Sequence, residues 1–255
     1  TEQSLNLKIK ESPGTLMKKR KVCVLLILIV VFVLAVGWKR TDPEVRRTSG
    51  KAIAENIAGQ GMLGLVEQSV EHPKAALTFD DGPDARYTSV LLDGLRARNI
   101  KVSFFLLGEK VEQNPDLVRR MQEEGHLVGN HTYHHVQLDK LSDAKAREEI
   151  LKTNNLIYET TGIYPQYMRP PFGAWKKNLE LRVEMMPVFW TIDTLDWKVQ
   201  NTEQIIKTVE EKIKDGSIIL MHDEYKTTVE AALRLADSLK EKGYELVKVD
   251  ELIMP

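Results

Sequence analysis

The chain has 255 residues, 42% of them hydrophobic and 29% charged, which is typical of a globular protein rather than a disordered one. Its 36 basic and 37 acidic residues give a net charge of -1, so no overall positive field attracts nucleic acid, and we expect no nucleic-acid partner. The single cysteine, Cys23, excludes a disulfide framework within one chain and a cysteine-based zinc site, so any metal must be held by histidine and carboxylate.

An apolar segment lies near the N-terminus. A basic tail, residues 1–21, precedes an uncharged run from Val22 to Trp38, and basic residues follow that run. A membrane-spanning helix needs about 17–25 apolar residues, so this run is near the lower limit, and we expect a transmembrane anchor or an uncleaved signal. The small residues Ala35 and Gly37 leave signal cleavage and secretion open as the alternative.

Residues 39–72 are polar with scattered glycine, as in a linker. From residue 73 to 255, short apolar runs alternate with amphipathic stretches, which is the pattern of β-α units around a parallel sheet. Helices are predicted between seven strands: Ala75–Asp80, Val102–Leu107, His126–Asn130, Tyr167–Arg169, Pro187–Ile192, Ser217–Met221 and Glu245–Val249. Seven strands indicate a (β/α) barrel one strand short of eight or an open doubly wound sheet, and periodicity does not separate the two.

Two helices carry end signals. Ser142 is suited to cap a helix that ends at Gly162, and Thr227 is suited to cap one that ends at Gly243.

Ionisable residues follow the predicted strands directly. In a parallel sheet the carboxyl ends of the strands share one edge, where loops build active sites. This distribution predicts a functional site made from Asp80, Asp81, residues 131–135, Arg169, Asp193, Asp196, His222 and Asp223.

The stretch "ALTFDDGPD" ends a strand in two adjacent acids, Asp80 and Asp81. Asp-Gly is also ordinary turn chemistry with exposed acids. Two neighbouring carboxylates repel each other, however, and a divalent cation on one of them offsets that repulsion and leaves the other free as a base.

The stretch "GNHTYHH" holds three histidines, His131, His134 and His135. Spacings of three and four residues both place two side chains on one face of a helical turn, so spacing does not choose the pair, and solvated surface histidines are the alternative. Two histidines with Asp81 would make three protein ligands and leave open positions for water and substrate, as a catalytic metal site requires.

Further along the chain, Arg169 could hold a carboxylate ionised or be a surface cation. Trp197, in "DTLDW", could offer a face to a sugar or lie in the core. His222 follows an apolar strand and could donate a proton if a carboxylate orients it. Together these groups predict metal-assisted hydrolysis of an amide or ester.

The segments "TFDDGP", "HTYHH", "RPPFG", "DTLDW" and "LMHD" resemble, in order, the five motifs of the NodB-type polysaccharide deacetylases, carbohydrate esterase family 4. The resemblance covers roughly residues 73–252 and is closest to the bacterial peptidoglycan N-acetylglucosamine deacetylases. It implies a distorted (β/α)7 barrel, the NodB homology domain, as a catalytic domain over residues 73–255.

The resemblance also implies roles for individual residues. Asp80 would be the general base. One divalent metal ion would bind Asp81, His131 and His135; zinc is the preferred candidate, and cobalt and nickel are the alternatives. His134 falls on a variable position of the motif. Further roles would belong to Arg169, which holds the base, His222 as general acid with Asp196 as its partner, the backbone N–H of Phe172 at the oxyanion, and Trp197 and Leu220 in the substrate groove.

The implied function is removal of N-acetyl groups from a cell-wall glycan by hydrolysis, and the preferred candidate substrate is N-acetylglucosamine in peptidoglycan. The enzyme would be a hydrolase of carbon–nitrogen bonds other than peptide bonds. Chitooligosaccharide deacetylase and acetylxylan esterase are alternatives within the enzyme class, and an inactive glycan-binding protein is the alternative outside it. We expect a single-pass protein of the bacterial cell membrane with its catalytic domain outside the cytoplasm, or a secreted protein if the signal is cleaved.

Overall fold

An eight-stranded parallel sheet organises the part of the chain that the computed structural model describes, residues 72–175 and 185–253. The strands are β1 (Lys74–Asp80), β2 (Ser103–Leu106), β3 (Leu127–Asn130), β4 (Tyr167–Met168), β5 (Met186–Pro187), β6 (Ile192–Asp193), β7 (Ser217–His222) and β8 (Glu245–Leu246). Their hydrogen-bonded order is β5-β4-β3-β2-β1-β7-β6, and β8 pairs with the start of β1.

Eight helices accompany the strands within the described residues. They are α1 (Thr88–Ala97), α2 (Gly108–Gln113), α3 (Pro115–Glu123), α4 (Asp143–Thr161), α5 (Asp196–Val199), α6 (Thr202–Glu210), α7 (Lys226–Glu241) and α8 (Val249–Ile253). Short 3-10 turns lie at Leu138–Lys140 and Pro171–Gly173.

The central strand β1 has two differently packed faces. It pairs with β2 along one edge and with β7 along the other, and packed side chains bury both of its faces, so nearly all of its residues are inaccessible. Because successive side chains alternate, Leu77 and Phe79 pack in the main core with the helices, whereas Ala76 packs in a second cluster with Phe105 and Tyr167. Asp80 continues the Ala76 face, at the carboxyl end of the strand.

The predicted strand Pro187–Ile192 is wrong as one element. Its first part pairs with β4, where the Val188 N–H donates to Met168 O, and its last part pairs with β7. The chain thus crosses from one edge of the sheet to the other, and β5 and β6 form no ladder with each other within the described residues. The fold is therefore a parallel half-barrel, which agrees in part with the expected (β/α)7 barrel.

Two other predictions are corrected. The strand predicted at Glu245–Val249 ends at Leu246, and Val249 begins α8. Thr227 does not cap α7, because that helix begins at Lys226 with Tyr225 at its N-cap and no side-chain cap.

The helix signals at Ser142 and Gly162 are confirmed. The Ser142 hydroxyl accepts the Lys145 N–H at the start of α4, and Gly162 ends the helix at φ 74° in the left-handed region, where glycine avoids a steric penalty.

The predicted basic tail, the apolar segment Val22–Trp38 and the linker up to residue 71 lie outside the described residues. Among the helices that are described, none combines the length and the apolar character that crossing a membrane requires.

Candidate active site

Two consecutive carboxylates end β1 and line the same cavity. Alternation along a strand would place Asp80 and Asp81 on opposite faces. Asp81 instead has φ 66°, a left-handed conformation that breaks the alternation, and both residues line the cavity at the carboxyl edge of the sheet. The two acids therefore lie together, as predicted, because the backbone turns at Asp81, and the alternating pattern of the strand does not predict this turn.

Asp80 is 2% exposed and is held by Arg169, which is fully buried. The guanidinium Nη1 donates to Asp80 Oδ1 at 2.7 Å and to the Thr78 hydroxyl at 2.8 Å, and the guanidinium carbon Cζ lies 4.3 Å from the Phe105 ring centre. Burial raises the pKa of Asp80 above its ordinary value, and the charge and hydrogen bond of Arg169 oppose that rise. Such a carboxylate is oriented by Arg169 and has increased affinity for a proton.

Asp81 lies beside two of the three clustered histidines. Its Oδ1 is 3.4 Å from His131 Nε2 and 3.6 Å from His135 Nε2, and one ligand atom from each residue lies within 4.8 Å of the others. His131 Nδ1 is 2.6 Å from Arg169 O, so this nitrogen carries the proton and Nε2 keeps its lone pair. Burial lowers the pKa of His131 to about 3, which keeps the imidazole neutral, as a metal ligand must be.

These three residues fit a divalent cation. Asp81 Oδ1 is buried and has no hydrogen-bond partner among the described residues, an arrangement that is costly unless something else satisfies the oxygen. Tetrahedral bonds of about 2.0–2.1 Å place ligand atoms roughly 3.3 Å apart. The distances of 3.4 and 3.6 Å from Asp81 to the two imidazoles are close to that value.

The third histidine, His134, contacts a different residue. Its side chain is 57% exposed, and its Nδ1 lies 2.8 Å from Glu149 Oε1 on α4. Glu149 Oε2 also accepts the backbone N–H groups of Tyr133 and His134, at 3.0 and 2.9 Å. The Glu149 carboxylate therefore holds the histidine loop against α4. Two residues of that loop, Thr132 and His135, have left-handed φ angles of 66° and 55°.

Replacing Glu149 with alanine is expected to weaken binding of a divalent cation by about tenfold, because the loop loses its anchor to α4. Titration of zinc into the metal-free protein by calorimetry measures this. Glu149→Gln keeps one carbonyl acceptor for the two backbone N–H groups and should restore most of the affinity. The control is Glu148→Ala, which removes an exposed neighbour on the same helix. Equal affinity in Glu149→Ala and wild type would exclude this positioning role.

His222, at the end of β7, is held by Asp196. The imidazole Nδ1 lies 2.8 Å from Asp196 Oδ1, and Asp196 Oδ2 accepts the His222 N–H at 2.7 Å and the Thr228 hydroxyl at 2.8 Å. Burial opposes protonation of His222, but the hydrogen bond and charge of Asp196 outweigh burial and raise the pKa of His222 to about 9. His222 Nε2 is 3.9 Å from Asp81 Oδ2, so a protonated imidazole faces the acids.

One cavity of about 540 Å³ is lined by the acids Asp80 and Asp81 and by His131, His135 and His222. Its walls include three residues predicted from the sequence, Phe172, Trp197 and Leu220. Phe172 has φ 60° and is 67% exposed, and Trp197 is 51% exposed, so two aromatic rings lie at the mouth of the cavity. Leu220, by contrast, is 6% exposed and lies in its wall.

Four further residues belong to this site and were not predicted from the sequence. Trp190 and Tyr225 line the cavity, Thr78 supports Arg169, and Thr228 supports Asp196. Only Tyr225 had a usable signal, because it closely follows the strand-end residue His222. The other three lie within predicted elements, where core packing is the ordinary explanation.

Comparison with known proteins identifies relatives across the described domain. The family model for polysaccharide deacetylase matches residues 67–188. The peptidoglycan-N-acetylglucosamine deacetylase PgdA of Listeria monocytogenes is 43% identical over 187 residues, a match covering 73% of this chain and 40% of PgdA. A Bacillus cereus protein named peptidoglycan-N-acetylglucosamine deacetylase is 38% identical over 186 residues, covering 70% of this chain and 68% of that protein.

Among solved structures, the peptidoglycan deacetylase PdaC from Bacillus subtilis superposes with a TM-score of 0.69 at 37% identity, covering 72% of this chain and 91% of that structure. The chain spans less than half the length of the Listeria relative and most of the PdaC structure. By sequence and by fold, the chain belongs to the polysaccharide deacetylase family, the hydrolases of carbohydrate esterase family 4.

Proposed function

We propose that this protein removes N-acetyl groups from a cell-wall glycan and releases acetate. The substrate that we propose is N-acetylglucosamine in peptidoglycan. One observation carries the proposal: a single cavity is lined by Asp80, which Arg169 holds, by His222, which Asp196 holds, and by the cluster of Asp81 with two histidines. The peptidoglycan deacetylases among the relatives support the choice of glycan.

On the basic side of the reaction, Asp80 accepts the proton of the attacking water. Arg169 holds Oδ1, so Oδ2 is the oxygen left for the water. Arg169 also keeps the carboxylate in place through its bond to Thr78. A carboxylate raised in pKa by burial is a better proton acceptor than an exposed one.

Asp81, His131 and His135 would hold the divalent cation, which we propose to be zinc. Such an ion supplies a Lewis acid that polarises the amide carbonyl and acidifies water. The backbone N–H of Phe172 would donate to the oxygen that becomes negatively charged as water adds to the carbonyl carbon.

On the acidic side, His222 protonates the leaving amine. Asp196 orients the imidazole for this role. Its carboxylate accepts a hydrogen bond from His222 Nδ1, so the Nε2 proton faces the cavity. Leu220 offers an apolar wall to the acetyl methyl group, and the exposed face of Trp197 offers a stacking surface to the sugar ring. The glucosamine unit then leaves with a free amine.

Replacing Asp196 with asparagine is expected to lower the pKa of His222 from its raised value of about 9 toward the ordinary 6.5. In the wild type, the folded-state pKa exceeds the unfolded one, so protonation of His222 stabilises the fold fully below pH 6.5 and ceases to do so as pH rises through 9. NMR titration of the metal-free protein measures the midpoint, and thermal unfolding across the same range measures the stability. An unchanged midpoint in Asp196→Asn would remove Asp196 as the cause.

The activity is tested by incubating purified protein, with and without added zinc, with peptidoglycan, chitooligosaccharides and acetylated xylan, and measuring acetate. We expect metal-dependent release, greatest from peptidoglycan. Faster release from chitooligosaccharide or xylan would reassign the substrate. Binding to these glycans without acetate release from any of them would identify a glycan-binding protein instead.

We also propose that Val22–Trp38 anchors the protein in the bacterial membrane, with the domain outside the cytoplasm where cell-wall glycan lies. The hydrophobicity of the segment and its basic flanks support this location. Fractionation of cells carrying the full chain tests it, since secretion would place the protein in the medium.

A further inference from the structure

A second cavity of about 490 Å³ adjoins the catalytic cavity, and Tyr225 lines both. Its lining residues come from the segments that follow β1, β6 and β7, at the same edge of the sheet as the acids and histidines. Apart from Tyr225, its residues play no part in the reaction described above. A polymeric substrate whose reacting unit occupies the catalytic cavity has neighbouring units, and this adjoining cavity is a place for one of them.

The adjoining cavity has an excess of positive charge. Two basic residues, Arg86 and Lys226, line it together with one acid, Glu224. Glu224 forms an ion pair with Lys110, and Arg86 forms one with Asp84, so the net excess is one positive charge, that of Lys226. Lys226 is exposed and forms no ion pair among the residues that the structure describes.

Arg86 is positioned rather than free. Its backbone N–H and its Nη2 donate to the two oxygens of Asp84, at 2.8 and 3.2 Å, and its guanidinium lies 5.0 Å from the centre of the Tyr87 ring. Its side chain is nevertheless 70% exposed, so donors remain available to a ligand. With Tyr87 and Tyr225, the cavity combines aromatic faces, which suit a sugar ring, with cations, which suit a carboxylate.

We propose that this cavity binds the sugar unit next to the one being deacetylated and selects glycans in which that unit carries a carboxylate. The inference rests on the proposed function and narrows its substrate class. A chain of N-acetylglucosamine alone has no group for Arg86 and Lys226 to pair with. In peptidoglycan every second sugar carries a lactyl ether, whose carboxyl group is free or extended by an acidic peptide, so the charges are complementary.

The test compares two probes of similar length, the neutral tetramer of N-acetylglucosamine and a peptidoglycan tetrasaccharide with its peptides. Kd for each is measured by calorimetry on the full protein without metal, so that neither probe is hydrolysed, and KM and kcat by acetate release with zinc added. Lys226→Glu and Arg86→Gln are expected to lower the preference for the charged probe, the ratio of the two Kd values, by about fivefold. Raising salt to 1 M should lower the same ratio in the wild type, because the contacts are screened.

Lys212→Glu is the matched control, because this exposed lysine precedes β7 and lies at the opposite edge of the sheet. It makes the same charge change and should leave the ratio unaltered. An equal loss of affinity for both probes in Lys226→Glu and Arg86→Gln, or no loss, would overturn the inference. Failure of the wild type to release acetate would refute the proposed function alone, since the Kd ratio is measured without turnover.

Discussion

Replacing Asp80 with asparagine is expected to reduce acetate release by at least about 10²-fold, the lower range of what a positioned general base contributes. Asparagine has nearly the same shape, but its amide cannot accept the proton of the attacking water. The carbonyl oxygen can still accept from Arg169, which donates to Asp80 Oδ1 at 2.7 Å in the wild type. Turnover is therefore expected to fall while glycan binding is kept.

Three measurements separate loss of the base from loss of the fold. Zinc stoichiometry and Kd for a chitooligosaccharide should remain near wild type in Asp80→Asn, and thermal unfolding measures how much stability is lost when the buried Arg169 keeps an acceptor but loses its counterion. The control variant, Asp116→Asn, changes a carboxylate whose side chain is 92% exposed on α3 and should keep full activity. Wild-type acetate release from Asp80→Asn would remove Asp80 from the role of base.

Replacing His135 with alanine is expected to abolish both metal binding and activity, whereas replacing its neighbour His134 preserves both. His135 Nε2 lies 3.6 Å from Asp81 Oδ1, whereas His134 Nδ1 lies 2.8 Å from Glu149. Loss of a residue that merely supports a metal ligand lowers affinity by about 10- to 100-fold, so loss of a ligand should exceed that range.

The two histidine variants control for each other, because each removes one imidazole from the same loop. Zinc content after dialysis and zinc affinity by calorimetry are measured alongside acetate release. His134→Ala should lose its contacts with the Tyr133 ring and with Glu149, whose other bonds are to backbone N–H groups. Loss of metal in His134→Ala with retention in His135→Ala would show that the ligand register is wrong.

Several features of the fold followed from local physics. Apolar runs bounded by polar residues predicted the positions of β1, β2, β3 and β7 closely. A strand that is buried on both faces consists mostly of apolar residues, so it is visible as a continuous apolar run. Ser142 and Gly162 marked the ends of α4 through capping interactions that involve only nearby residues.

Long-range pairing accounts for what was missed. The run Pro187–Ile192 has the composition of one strand, but its two ends pair with different neighbours, and a sequence window contains neither neighbour. The left-handed φ at Asp81 was missed as well, because aspartate tolerates that conformation but does not require it, so the residue type alone does not predict the turn.

By itself, the sequence determined which residue types lie at the carboxyl ends of the strands, and so predicted a site of acids, histidines and an arginine, because parallel strands deliver their ends to one edge. Resemblance to the family motif, rather than spacing, singled out His131 and His135. Only the tertiary structure paired His134 with Glu149 and brought Arg86 and Lys226 to one cavity. These pairings join residues distant in the chain, and their partners depend on how loops and helices pack around the sheet.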